Sequence, residues 1–109
     1  MTLAITLILT TVPDPESART LASAALEARV AACVTQQPVH SQYHWQGALE
    51  AADEIQLLFK TSNARALELE QFIEAHHPYS TPEILAWQVM ASNAYGQWVN
   101  HETQRPLHV

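Results

Sequence analysis

Leu3, Ile5, Leu7 and Leu9 alternate with Ala4, Thr6, Ile8 and Thr10, a period of two that predicts a strand with the leucine-rich set on one face. The rhythm changes at Asp14-Pro15-Glu16, where a capping side chain, a proline suited to the first helical position and a first-turn acid predict a helix start. Along Ser17 to Ala32 the stripe Ala18, Leu21, Ala22, Ala25 and Ala28 keeps helical spacing, and its small side chains allow close approach to a sheet. Cys33 to Trp45 reads as extended, with Val34, Val39, Tyr43 and Trp45 as strand residues. Pro38 inside that run implies an edge strand or a bulge. A turn at Gln46-Gly47 leads to a partner strand from Ala48 to Thr61, where Ile55, Leu57 and Phe59 alternate with Gln56, Leu58 and Lys60. A second helix is expected from about Asn63, read as its N-cap, through Leu69, Phe72, Ile73 and His76, ending before Pro78. Glu83 to Ala91 predicts a fourth strand, and Tyr95 with Trp98 a short C-terminal helix pinned by its aromatics, before an end that frays near Arg105-Pro106.

The order β-α-β-β-α-β predicts an α+β, ferredoxin-like domain over residues 1–109, a four-stranded antiparallel sheet with both helices on one face. Two helices leave the other face open, and Ile8, Leu58, Val89 and the hairpin aromatics are expected there. An apolar face and a long edge strand are both resolved by association with further chains.

Composition narrows the function. The chain has 109 residues, 48% of them hydrophobic and 15% charged, which are globular values. A net charge of -6 with only five Lys plus Arg lacks the basic stripe that a phosphate backbone requires, so neither nucleic acid nor an anionic membrane is an expected partner. No apolar run approaches the ~20 residues of a membrane span, and Met1 to Ile5 lacks a basic start before its apolar stretch. A cytoplasmic protein is expected. Cys33 is the only cysteine, which excludes an intrachain disulfide.

The densest chemistry lies in His76-His77-Pro78-Tyr79-Ser80-Thr81-Pro82-Glu83-Ile84, where two prolines hold His77 and Thr81 out of helical geometry. Neutral imidazoles at His76 and His77 suit Cu(II), Zn or Ni. Adjacent helical side chains diverge by about 100°, so both reach one ion only if His77 leaves the helix. The competing reading is a cationic helix terminus stabilised by the macrodipole. Cys33 is either a thiolate ligand or a small hydrophobe beside Ala32 and Val34. His40 and His44 share a strand face and rank below His76 and His77, while Asp53-Glu54 reads as a solvated strand entrance. Ser41 near His40 and His44 has no positioned acid and makes no triad. No phosphate loop, nucleophile elbow or zinc-protease helix occurs, so no enzymatic activity is expected.

Val12-Pro13-Asp14 with Glu16-Ser17-Ala18, Ala31-Ala32-Cys33-Val34, Tyr43-His44-Trp45-Gln46-Gly47, Phe59-Lys60-Thr61, His77-Pro78-Tyr79 with Pro82-Glu83-Ile84, and Tyr95 with Trp98 together resemble the CutA divalent-cation tolerance family. The resemblance runs nearly end to end. It implies a homotrimer similar in architecture to the PII signalling proteins, with clefts between subunits, and a non-enzymatic role in divalent-metal tolerance with copper binding. Copper-associated members carry a cysteine at the position of Thr10, and many relatives have asparagine at Thr35. The same resemblance places Trp45, Lys60, Tyr79 and Glu83, with Cys33, around the intersubunit cleft. These residues read either as a pocket for a small anionic or amphipathic ligand or as interface aromatics and an ion pair. Cu(II) or another divalent metal is the expected ligand and no organic cofactor is expected. The alternative is a PII-like signalling or scaffold trimer that takes a small molecule or a protein partner.

Overall fold

The computed structural model describes residues 1–105; Pro106, part of the expected frayed end, lies outside them. The elements are β1 (Thr2–Val12), α1 (Pro15–Glu27), β2 (Cys33–Trp45), β3 (Ala48–Thr61), a single 3-10 turn (Asn63–Arg65), α2 (Ala66–His76), β4 (Leu85–Ser92) and α3 (Asn93–Glu102). The sheet is antiparallel with order β2-β3-β1-β4, as expected for the ferredoxin-like arrangement. Pro38 sits in register opposite Ile55 on the edge strand, where its missing N–H is harmless.

Pairing of Ile8 with Phe59 and of Thr10 with Leu57 sets the covered face. Ile8, Phe59, Leu57 and Val12 meet Ala18, Leu21, Ala22 and Ala25 of α1 and Leu69 and Ile73 of α2 in one buried cluster. Ile8 therefore belongs to the core, contrary to the expectation that it lies on the open side. Leu7 and Leu9, one residue out of phase, point the other way with Leu58, Leu85 and Trp87, their cross-strand partners or near neighbours. Leu85 and Trp87 stay 53% and 42% exposed.

α1 starts as the sequence implies: the Asp14 carboxylate accepts a 2.7 Å bond from the Ser17 N–H, with Pro15 at the first turn. That bond to the charged form holds the Asp14 carboxyl below its usual range. The helix stops earlier than expected. Arg29 takes a left-handed φ of 59°, its N–H bonds the Leu26 carbonyl, and the Val30 N–H bonds back to Ala25, the Schellman closure usually built on glycine. Ala28 becomes the exposed cap residue instead of extending the buried stripe. At the hairpin, Gln46 and Gly47 both have positive φ, 51° and 80°, the two-residue turn whose twist matches paired strands. Asn63 is not the cap of α2: it opens the 3-10 turn that follows Ser62, Arg65 occupies the cap position of α2 with no side-chain cap bond, and the Asn63 side chain accepts from Thr6 Oγ1 at 2.6 Å.

α3 covers one end of the second sheet face. Ile5, Gly96 and Val99 are buried there, whereas Tyr95 and Trp98, expected to anchor the helix, remain more than one third exposed. Close approach is possible because residue 96 has no side chain: a Cβ on Gly96 would stand 2.8 Å from the Leu3 Cβ. The helix end is tied down by Thr103, whose hydroxyl donates to Ser62 Oγ at 2.9 Å and whose carbonyl accepts from the buried Arg65 guanidinium at 3.1 Å. Gly96→Ala should lower the unfolding free energy by about 1–3 kcal/mol through overpacking against β1; urea denaturation checks this, and an unchanged midpoint would contradict the close packing.

Candidate functional site

The long hairpin and the segment after α2 form a cleft of about 700 Å³. Period two along β2 puts Ser41, Tyr43 and Trp45 on one face, and Glu54 of β3 shares that side because its register partner is Val39. Across from them residues 78–81 and Glu83 close the cleft, with Thr11 at its base. Chain direction there is set by His77, extended at ψ 138° as the following proline requires.

The link between the two walls is one hydrogen bond. The Tyr79 hydroxyl donates to Glu54 Oε2 at 2.8 Å, and Glu54 is only 8% exposed. Burial, followed by this bond to a carboxylate, raises the Tyr79 phenol well above its usual range, so it stays a donor at neutral pH. Glu54 was expected to be a solvated companion of Asp53. Alternation separates the two: Asp53 stays outside, 2.8 Å from exposed His40 Nδ1, while Glu54 turns into the cleft. Period two was the signal for Ser41, Tyr43 and Glu54, but nothing in the sequence marked Tyr79 as the donor that reaches across to Glu54.

His77 is built into the structure. The Tyr79 N–H donates to its Nδ1 at 3.0 Å, so the proton of the neutral ring sits on Nε2, which donates to the Thr11 carbonyl at 2.9 Å with Thr10 Oγ1 at 3.0 Å. The imidazole thus staples the loop to the end of β1. Burial lowers its pKa, opposed by the Thr11 bond and by Glu54. His76 differs: its Nδ1 donates to the Phe72 carbonyl at 2.8 Å, its ring stacks on Phe72 at 4.1 Å, and Nε2 keeps its lone pair at the exposed surface. The two neighbouring histidines therefore have different partners and different work. Among the described residues no three His, Cys, Asp or Glu side chains converge to hold a metal ion.

Of the expected pocket residues, Trp45, Tyr79 and Glu83 line the cleft. Cys33 and Lys60 do not. They face each other in register at the far end of the hairpin, Lys60 Nζ lying 3.8 Å from Cys33 Sγ and donating to Thr35 Oγ1 at 3.2 Å. Cys33 and Trp45 bound a 13-residue strand, roughly 40 Å long at ~3.4 Å per residue, so one chain cannot fold them into one pocket. Tyr95 of α3 meets Cys33, and burial with that contact raises its phenol pKa.

Comparison with known proteins adds a consistent picture. The sequence model of the family described as CutA1 divalent ion tolerance protein matches residues 6–102. A divalent-cation tolerance protein CutA of Yersinia pestis is 43% identical over 95 residues, covering 85% of this chain and 80% of that protein. The structure of CutA from Synechococcus elongatus superposes with a TM-score of 0.91 at 38% identity, covering 95% of both chains. A protein of Archaeoglobus fulgidus, described as the periplasmic divalent cation tolerance protein CutA, superposes at 0.88 with 30% identity over 94% of this chain and 100% of that one.

Because the folded His77 has a lowered pKa, the stability it contributes is complete above the unfolded value of 6.5 and is lost as pH falls through the folded value. Wild type should lose stability between about pH 7.5 and about pH 5.5, and His77→Gln should lose less over that interval. Urea midpoints at the two pH values check this; equal losses in both proteins would contradict the lowered pKa of His77.

Proposed function

Since this chain belongs to the CutA1 divalent ion tolerance family, we propose that it serves divalent-cation tolerance, copper in particular, as a homotrimer that binds ions and turns over no substrate. The observation that carries this reading is His76. An imidazole whose Nδ1–H is fixed on a backbone carbonyl and whose Nε2 faces outward has the orientation of a metal-ligating histidine, and imidazole nitrogen suits Cu(II). His77 has no free lone pair in its present bonding, so its part is to hold the loop beside His76. Among the described residues, one chain does not complete a metal centre. The remaining donors come from solvent or from neighbouring copies, which the open face of Leu7, Leu9, Leu58, Leu85 and Trp87 would bring together.

The cleft between hairpin and loop supports a second reading, a PII-like trimer that recognises a small molecule or a protein partner beside Trp45, Tyr79 and Glu83. It differs from the first in needing no metal. We place the protein in the cytoplasm, where its half-buried free Cys33 stays reduced; cell fractionation decides between this and the periplasmic site named for the Archaeoglobus relative.

Calorimetric titration of the purified protein with Cu(II) should show a transition that disappears in His76→Ala and survives in His40→Ala. Equal heats in wild type and His76→Ala would remove the metal reading.

A further inference from the structure

The walls of the cleft carry one sign of charge. Three aromatic rings, Tyr43, Trp45 and Tyr79, and two carboxylates, Glu54 and Glu83, face it, and among the described residues no lysine or arginine lines it. Within the same chain Lys60 lies at the other end of the hairpin, engaged with Thr35 and Cys33. An anionic ligand would therefore meet two carboxylates and the negative faces of aromatic rings with no cation among the described residues to offset them, the other polar groups there, Thr11, Ser41, Gln42, Ser80 and Thr81, being uncharged.

From this arrangement we propose that the cleft binds a small organic ammonium cation. Such a cation is attracted to the face of tryptophan or tyrosine, and cages of several rings with a nearby carboxylate answer its size and charge together. Glu54 adds a specific opening for it. The side chain is more than nine-tenths buried, Oε2 is held by the Tyr79 hydroxyl, and Oε1 has no hydrogen-bond partner among the described residues. That oxygen stays open to the cleft, and a cation beside a carboxylate so largely withdrawn from water gains more than it would at an open surface. Tyr43 and Trp45 remain 41% and 45% exposed, leaving ring surface for contact. At about 700 Å³ the space is within the usual ~300–1,000 Å³ of small-molecule sites. Glu83, at the exposed rim, supplies long-range attraction, in line with a net charge of -6.

The inference rests on the second reading above, that the cleft is a ligand site, and is independent of the metal at His76. Choline and neohexanol, the neutral isostere in which carbon replaces the quaternary nitrogen, separate charge from shape, and succinate tests the opposite sign. Calorimetry on the full-length protein in its native assembly, with a chelator present to remove metal ions, should show choline binding about tenfold or more tighter than neohexanol, the scale of a desolvated cation–π contact. Succinate should not bind. Glu83→Gln and Trp45→Leu, both at exposed positions, should each weaken choline, and His76→Ala should leave it unchanged. Equal binding of neohexanol, preferred binding of succinate, or loss of choline binding in His76→Ala would overturn the ammonium assignment while leaving a ligand site. Absence of binding by all three compounds would overturn both the assignment and the reading of the cleft as a site.

Discussion

A central strand that is apolar on both sides constrains everything else in this fold. Ile8 and Val12 of β1 are fully buried under α1 and α2, while Leu7 and Leu9, one position out of phase, stand on the opposite face with Leu58, Leu85 and Trp87. The short α3 covers only the Leu3 and Ile5 end of that second face, through Gly96 and Val99. Leu7, Leu9 and Leu58 are only half-buried and Leu85 is more exposed still, so each forgoes part of the about 1.5–3 kcal/mol that full burial contributes, and the chain has no further helix to place over them among the described residues. Packing by like copies would satisfy the remainder, which is why the proposed trimer and the proposed function are one argument.

The same geometry explains why the chemistry is divided between the ends of the hairpin. Glu54 and Lys60 share a face of β3 but lie six residues apart, roughly 20 Å at strand rise. Acid and aromatics therefore collect at the turn end beside residues 78–81, and Cys33, Lys60, Thr35 and Tyr95 at the other. His77 couples this end to the sheet, since its two ring nitrogens join the loop to β1.

Much of the architecture was legible because local signals agreed with one another. Strands β2 and β3 have the bounds that alternation and the Gln46-Gly47 turn imply, and Asp14-Pro15 starts α1 with the cap its order predicts. What failed were features without a local marker. Arg29 ends α1 in a left-handed conformation that glycine would have announced. Ile8 could be assigned to neither face by period two, because both sets of β1 are apolar and only the helices decide. Within one chain Trp45, Tyr79 and Glu83 gather with Glu54 at one end of the hairpin while Cys33 and Lys60 lie at the other, a separation that was not legible because a strand pattern gives the face of a residue but not its distance along the sheet.

Sedimentation equilibrium of the purified protein at micromolar concentration, beside a Leu58→Glu variant, measures the open face directly. Burial of that face between copies requires wild type to run as one species of three times the 12.1 kDa chain mass, and the charged variant to dissociate or unfold. A wild-type protein that is monomeric and fully folded at that concentration would contradict it.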